Sequence, residues 1–285
     1  MEIGIGLPNH VAGVPGGLIT PWARLAEERG FGALTTIDRL IYPSVDSIVA
    51  LAVAAGATTT PTLVTNVLLA PLYPPTVLAK QLAGVAGCSN DRLVVGLGVG
   101  NRQDDYAAAG VEFDRRGKIL DEQVVTLRQA WSGESFAEDT ALCPGAVTIP
   151  LLFGGKSAAT VRRATTVGDG WAGGALRDYP AVAAMTERVR AGWQSAERAG
   201  EPIMQMSVNF ALGTEDTVRA GREHLTRYYD FYPEFAALNA ADMVASAQDA
   251  RDTVRVCRDM GFDRLLLHPA VASIDQVERL ADAVL

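Results

Sequence analysis

The fold class predicted by this sequence is α/β, a (β/α)8 TIM barrel in a single domain over residues 1 to 285, with long loops at its carboxyl-terminal face. Three observations carry it. The hydrophobic pattern switches eight times between short β-type runs and longer stretches of helical period, the signature of βα units on a parallel sheet. The length of 285 residues is close to the roughly 250 typical of such barrels. An open doubly wound sheet usually has about five or six strands, too few for eight pairs.

The expected strands run from Glu2 to Leu7, Ala33 to Ile37, Thr62 to Leu69, Arg92 to Leu97, Ile149 to Phe153, Gly170 to Ala172, Met204 to Leu212 and Arg264 to His268. Helices are expected from Thr20 to Arg29, Asp46 to Ala57, Pro75 to Cys88, Glu112 to Trp131, Ser157 to Val167, Tyr179 to Ala199, Thr214 to Tyr229, Ala247 to Met260 and Asp275 to Leu285. Gly30, Gly168 and Gly261 each follow a helix, where a left-handed residue ends it without a Cβ penalty. Leu120, Val124, Leu127 and Trp131 form a core-facing stripe. Ser273 and Gln276 have capping-box spacing ahead of a second stripe, Val277, Leu280, Ala281 and Val284. Three stretches exceed ordinary connections: Val99 to Val111, Ser132 to Thr148 and Asp230 to Asp242.

Composition excludes several classes. Hydrophobic residues make up 48% of the chain and the net charge is −8, which argues against disorder and against a nucleic-acid partner, whose phosphates require clustered cations. The longest mainly apolar stretch, Ile48 to Ala57, is about half of the roughly 20 residues a membrane-spanning helix needs. The amino terminus lacks a cationic, unbroken apolar leader, so a cytoplasmic protein is expected. Cys88, Cys143 and Cys257 are three, widely spaced and without a Cys-x-x-Cys, and read as buried small residues. His10, His224 and His268 have no metal-ligand spacing, and no metal site is expected.

In a parallel barrel the chemistry sits after the carboxyl ends of the strands. The clearest feature there is Gly154-Gly155-Lys156-Ser157 before a helix. Glycines allow close backbone approach, and a helix amino terminus offers unpaired N–H groups to an anion, so a phosphate site is expected. Ser157 is equally placed to be the helix N-cap. Gly96-Leu97-Gly98-Val99-Gly100 lacks the spacing of a Rossmann fingerprint, and no nicotinamide motif is found elsewhere. Asp104, Asp105 and Asp114 read as solvated or capping residues, and His10 and His268 as structural histidines that follow strands.

Several segments together resemble the luciferase-like monooxygenase family. The strongest runs from Asp91-Arg92-Leu93-Val94-Val95-Gly96-Leu97-Gly98-Val99-Gly100 through Tyr106, Gly110-Val111-Glu112-Phe113, Arg115-Arg116-Gly117 and Leu120-Asp121-Glu122. Ala26 to Phe31, Leu68-Leu69-Ala70-Pro71 and Gly168-Asp169-Gly170-Trp171 add to it. The resemblance implies a barrel that binds coenzyme F420 or FMN. It places the cofactor's phosphate at Gly154, Gly155, Lys156 and Ser157, its border at Gly98, Gly100 and Asn101, and a non-prolyl cis peptide at Asn66-Val67 beneath the ring. It also implies a small-molecule substrate, a homodimer built on the helices around Ile48 to Ala57 and Leu78 to Cys88, and, for an FMN enzyme, a separate flavin reductase.

Two departures qualify the activity. Many members carry Asp-His after the second strand, where this chain has Asp38-Arg39, so the usual histidine acid or base is absent; Asp38, Arg39 and His10 become the candidate catalytic groups. Arg39 does not donate a proton at neutral pH, but it suits an anionic ring oxygen or a substrate carboxylate. Asn101 replaces the glutamate of the family's sugar-phosphate dehydrogenases. The expectation is an F420-dependent oxidoreductase. The alternatives are a reduced-FMN monooxygenase, a non-catalytic flavin-binding barrel and an unrelated barrel acting on a phosphorylated metabolite.

Overall fold

The computed structural model describes all residues from 1 to 285. Eight parallel strands, β1 (Glu2–Gly6), β2 (Ala33–Thr36), β3 (Thr62–Leu69), β4 (Leu93–Gly98), β5 (Leu151–Gly154), β6 (Gly170–Ala172), β7 (Ile203–Phe210) and β8 (Arg264–Pro269), pair in sequence order. The barrel closes through β1 and β8, with Ile5 opposite Leu267. The register of β3 against β4 shifts between Thr65 and Leu68, where the Asn66-Val67 peptide is cis as the resemblance implied.

Eleven helices surround the strands: α1 (Ile19–Glu28), α2 (Ser47–Ala57), α3 (Pro75–Cys88), α4 (Gln103–Ala109), α5 (Arg116–Trp131), α6 (Ala158–Thr166), α7 (Tyr179–Ser195), α8 (Glu215–Tyr228), α9 (Pro233–Asp242), α10 (Ala247–Asp259) and α11 (Asp275–Val284). Five of them begin at a side chain that accepts an amide of the first turn: Asp46, Ser157, Asp178, Thr214 and Ser246. Such caps satisfy donors that the helix itself leaves free. The main core lies between sheet and helices and includes the expected stripe of Leu120, Val124, Leu127 and Trp131. Inside the barrel a smaller cluster takes one side chain from each of six strands: Ala33, Val64, Val94, Leu152, Ala172 and Leu266.

Several expectations need correction. Two of the long connections contain helices, α4 within Val99 to Val111 and α9 within Asp230 to Asp242, and the helix expected from Glu112 begins at Arg116. The Ser273/Gln276 capping box does not form. Gln276 is buried, and its amide instead bonds both the N–H and the C=O of Leu212, because those backbone groups have no strand partner there. Gly30 and Gly261 take left-handed backbone, but Gly168 does not; its small size is needed against the Phe153 ring, 2.6 Å from where a Cβ would stand. Cys143 and Cys257 are buried as expected, whereas Cys88 ends α3 exposed.

At Gly170, φ is +157° and a Cβ would lie 1.9 Å from the carbonyl oxygen of Ile203 on the adjacent strand. Backbone cannot yield there without separating β6 from β7. Gly170→Ala is therefore expected to lower stability by about 3 kcal/mol, read as a drop in the urea unfolding midpoint.

Candidate active site

The carboxyl ends of the strands open into a cavity of about 550 Å³. Of the twelve residues singled out from sequence, eleven line it: Asp38, Arg39, Asn66, Val67, Gly98, Gly100, Asn101, Gly154, Gly155, Lys156 and Ser157. The twelfth, His10, is not part of its lining.

Close approach of backbone shapes the floor. A Cβ at Gly98 would stand 2.5 Å from Val67, and one at Gly154 2.8 Å from it, so these glycines make room for the side chain of the irregular β3 residue. Asp38 holds the same strand end. Its carboxylate accepts the Leu69 N–H at 2.9 Å and the Tyr73 hydroxyl at 3.0 Å. Burial pushes the Asp38 carboxyl up to about 6, against those two hydrogen bonds, which favour the charged form.

A line of polar groups crosses the barrel interior to the same floor. Glu2 pairs with Arg264, whose Nη1 donates to Gln205 Oε1 at 3.0 Å; Gln205 Nε2 donates to Asn66 Oδ1 at 2.8 Å; Asn66 Nδ2 stands 3.4 Å from His268 Nε2. Arginine only donates, so each amide orientation follows from it, and His268 Nε2 must accept. The proton of His268 then sits on Nδ1, which faces Gly6.

Behind this floor the fold gathers the three histidines. The His10 ring centroid lies 5.6 Å from that of His224 and 5.8 Å from that of His268, with Tyr228 at 5.9 Å. Sequence reading put His224 on a polar helix stretch, yet α8 turns it inward and it is buried. The three do not form a metal-binding group. Burial lowers His224 to about 4, aided by Arg227 and Arg39, lowers His268 to about 3, and takes His10 well below the usual histidine value.

The wall near β5 is cationic. Ser157 caps α6, accepting the Thr160 N–H at 3.1 Å, and the Ser157, Ala158 and Ala159 amides donate to no acceptor in the chain. Gly155 has φ of +114°, and its carbonyl accepts the Trp171 indole N–H at 2.8 Å, which fixes the turn. Lys156 and Arg116 line the cavity without an ion pair, whereas Arg163 is held by Asp121 at 2.6 Å. The other wall is aromatic. Tyr228 ends α8, Tyr229 and Phe231 lie in the connection after it and Phe235 is on α9, beside Arg39 and Arg102. Sequence reading missed this wall and Arg116. The run Tyr228-Tyr229-Asp230-Phe231-Tyr232, in a chain only 7% aromatic, was the signal for it. Asp105, expected to be solvated, is fully buried and accepts the Ile41 N–H at 2.6 Å.

Two pH effects of opposite sign follow. Folded Asp38 holds its proton to about pH 6 while the unfolded carboxyl loses it near 3.8, so its contribution to stability falls as pH rises between those values. The stability of wild type relative to Asp38→Asn is expected to fall by up to ~3 kcal/mol between pH 4 and pH 7, measured by urea unfolding at each pH. His224 acts the other way, because its contribution is intact above about pH 6.5 and is lost as pH falls toward 4. His224→Phe is expected to remove about one proton from the uptake on acid unfolding, seen as a shallower acid limb of the stability curve.

The sequence model described as luciferase-like monooxygenase matches residues 1 to 282. An uncharacterised protein of Mycobacterium tuberculosis is 28% identical over 203 residues, covering 60% of this chain and 70% of that one. The F420-dependent hydroxymycolic acid dehydrogenase of the same organism is 29% identical over 171 residues, 55% of this chain and 46% of its own length. Among solved structures, an F420-dependent secondary alcohol dehydrogenase superposes with a TM-score of 0.79 at 16% identity, covering 100% of this chain and 98% of that one. The monooxygenase RslO1 from Streptomyces bottropensis superposes at 0.75 and 21%, covering 99% and 96%. At these identities the structural likeness is one of fold. The family match runs from the first strand into the last helix, and the chain belongs to the luciferase-like monooxygenase family.

Proposed function

We propose that this protein is an F420-dependent oxidoreductase that moves hydride to or from a small organic substrate held in the cavity. The observation that carries this reading is the pairing of free α6 amides with two unpaired cations, Lys156 and Arg116, along one wall. A phosphate needs the amides and one cation; a longer anionic chain, such as the coenzyme's acidic tail, uses both. The F420-dependent relative in M. tuberculosis supports the same choice.

In this reading Gly154, Gly155, Lys156 and Ser157 hold the phosphate, and Gly98, Gly100 and Asn101 border the ring. Asn66 and Val67 support it from below. When bound, coenzyme F420 supplies the hydride acceptor or donor. The chain's part is to orient and desolvate. Asp38 acts as a positioning residue through Leu69 and Tyr73, and the Arg264-to-His268 line keeps the Asn66 side chain in one orientation. His10 packs behind His268 and acts only through it. Val49, Val53 and Val77 are exposed on the adjacent helices α2 and α3, and we assign this face to a homodimer.

Titration of the purified protein with coenzyme F420 and with FMN tests the cofactor. F420 is expected to bind at least ten times more tightly, with Gly155→Asp abolishing binding and Lys156→Ala and Arg116→Ala each weakening it about 3- to 10-fold. Tighter FMN binding would replace this reading by a reduced-FMN monooxygenase served by a separate reductase. Binding of neither would leave a barrel acting on a phosphorylated metabolite.

A further inference from the structure

Two arginines converge on the carbonyl oxygen of Tyr228, at the carboxyl end of α8. Arg39 Nη1 donates to it at 2.8 Å and Arg102 Nη1 at 3.5 Å. Their charges are treated differently. Arg102 is neutralised by Asp104 at 2.9 Å and Asp230 at 3.1 Å. Arg39 has no carboxylate within 4.0 Å, although it is half-buried and lines the cavity. Asp38, its chain neighbour, is committed to Leu69 and Tyr73, and Asp105 gives Oδ1 to the Ile41 amide while its Oδ2 is buried without a hydrogen-bond partner and forms no ion pair with Arg39.

The Arg39 guanidinium sits between two tyrosine rings, its Cζ 4.2 Å from the centroid of Tyr42 and 5.2 Å from that of Tyr228. The cation–π contacts and the bond to the Tyr228 carbonyl together restrain the guanidinium. Tyr228 packs edge-on against Tyr229 at 4.9 Å, and Tyr229 against Phe235 at 5.1 Å, which continues the aromatic surface away from Arg39. A fixed, unpaired guanidinium beside aromatic faces matches a carboxylate carried on a flat ring. This wall comes from β2, α8 and α9, whereas the free amides and Lys156 lie after β5, so one cavity holds two separate anion-recognising regions.

Resting on the oxidoreductase reading above, we propose that the substrate is an aromatic carboxylic acid, with Arg39 taking its carboxylate and the Tyr228–Tyr229–Phe235 surface taking its ring. Arg39 is then a specificity-determining residue rather than a cofactor ligand.

Calorimetric titration with 2-naphthoate and its neutral isostere 2-naphthamide, on the protein alone and loaded with coenzyme F420, tests this. The acid is expected to bind at least tenfold more tightly than the amide. Arg39→Gln should bring the two within twofold while changing F420 affinity less than twofold, and Arg39→Lys should keep part of the preference. Equal binding of acid and amide, no binding of the acid, or a loss of F420 affinity in Arg39→Gln with the acid preference intact would each overturn the proposal. If F420 fails to bind while the unloaded protein still prefers the acid through Arg39, the cofactor reading falls and the carboxylate site stands.

Discussion

The hydrogen bond from Gln205 to Asn66 is the interaction on which the cavity floor depends. Gln205 is fully buried within the barrel, where an unpaired amide would cost about 1 to 3 kcal/mol. Arg264 settles its orientation by occupying its oxygen, and the consequence passes from amide to amide up to His268. A charge pair at the amino-terminal rim, Glu2 with Arg264, thereby sets which atoms face the open end. Because the arginine can only donate, each amide along the line has one satisfied orientation, and burial makes the alternative costly.

Around that floor the mouth divides into two regions of different chemistry. The turn after β5 and the start of α5 offer free backbone donors and two cations without an ion pair, Lys156 and Arg116. The wall after β2 and around α8 and α9 offers an arginine set over tyrosine rings and a run of aromatic side chains, the surface proposed for a planar carboxylate. The family membership accounts for the barrel that brings both regions to one mouth. The second depends on Arg39, which follows β2, and on the helix α9 that brings Phe235 against Tyr229.

Much of the site was legible before the structure because it is local. Gly154-Gly155-Lys156-Ser157 is a strand, a turn and a helix start in one run, and the Ser157 cap, the free amides and the cavity position all follow from that run. The histidines were not legible. His10, His224 and His268 come from the ends of β1 and β8 and from α8, and no spacing along the chain records that their rings meet. Asp105 misled for the same reason: its position near a helix start looks solvated, while its partner, the Ile41 amide, lies 64 residues away. Gln276 fitted a capping box in sequence but was taken by Leu212, a longer-range demand from unpaired buried backbone.

The eight βα units and the glycine-lined turn after β5 are written in the sequence, because each rests on periodicity or on residues within one turn of each other, and the family membership is written there in motifs spread from Ala26 to Trp171. Tertiary structure decided which side chains share a wall: the arginine left without a carboxylate, the aromatic surface beside it, the histidine cluster behind it and the Asn66 orientation beneath it. Those are properties of closure. A barrel brings strand ends dozens or hundreds of residues apart into contact, and burial then requires each polar group there to find whichever partner closure supplies.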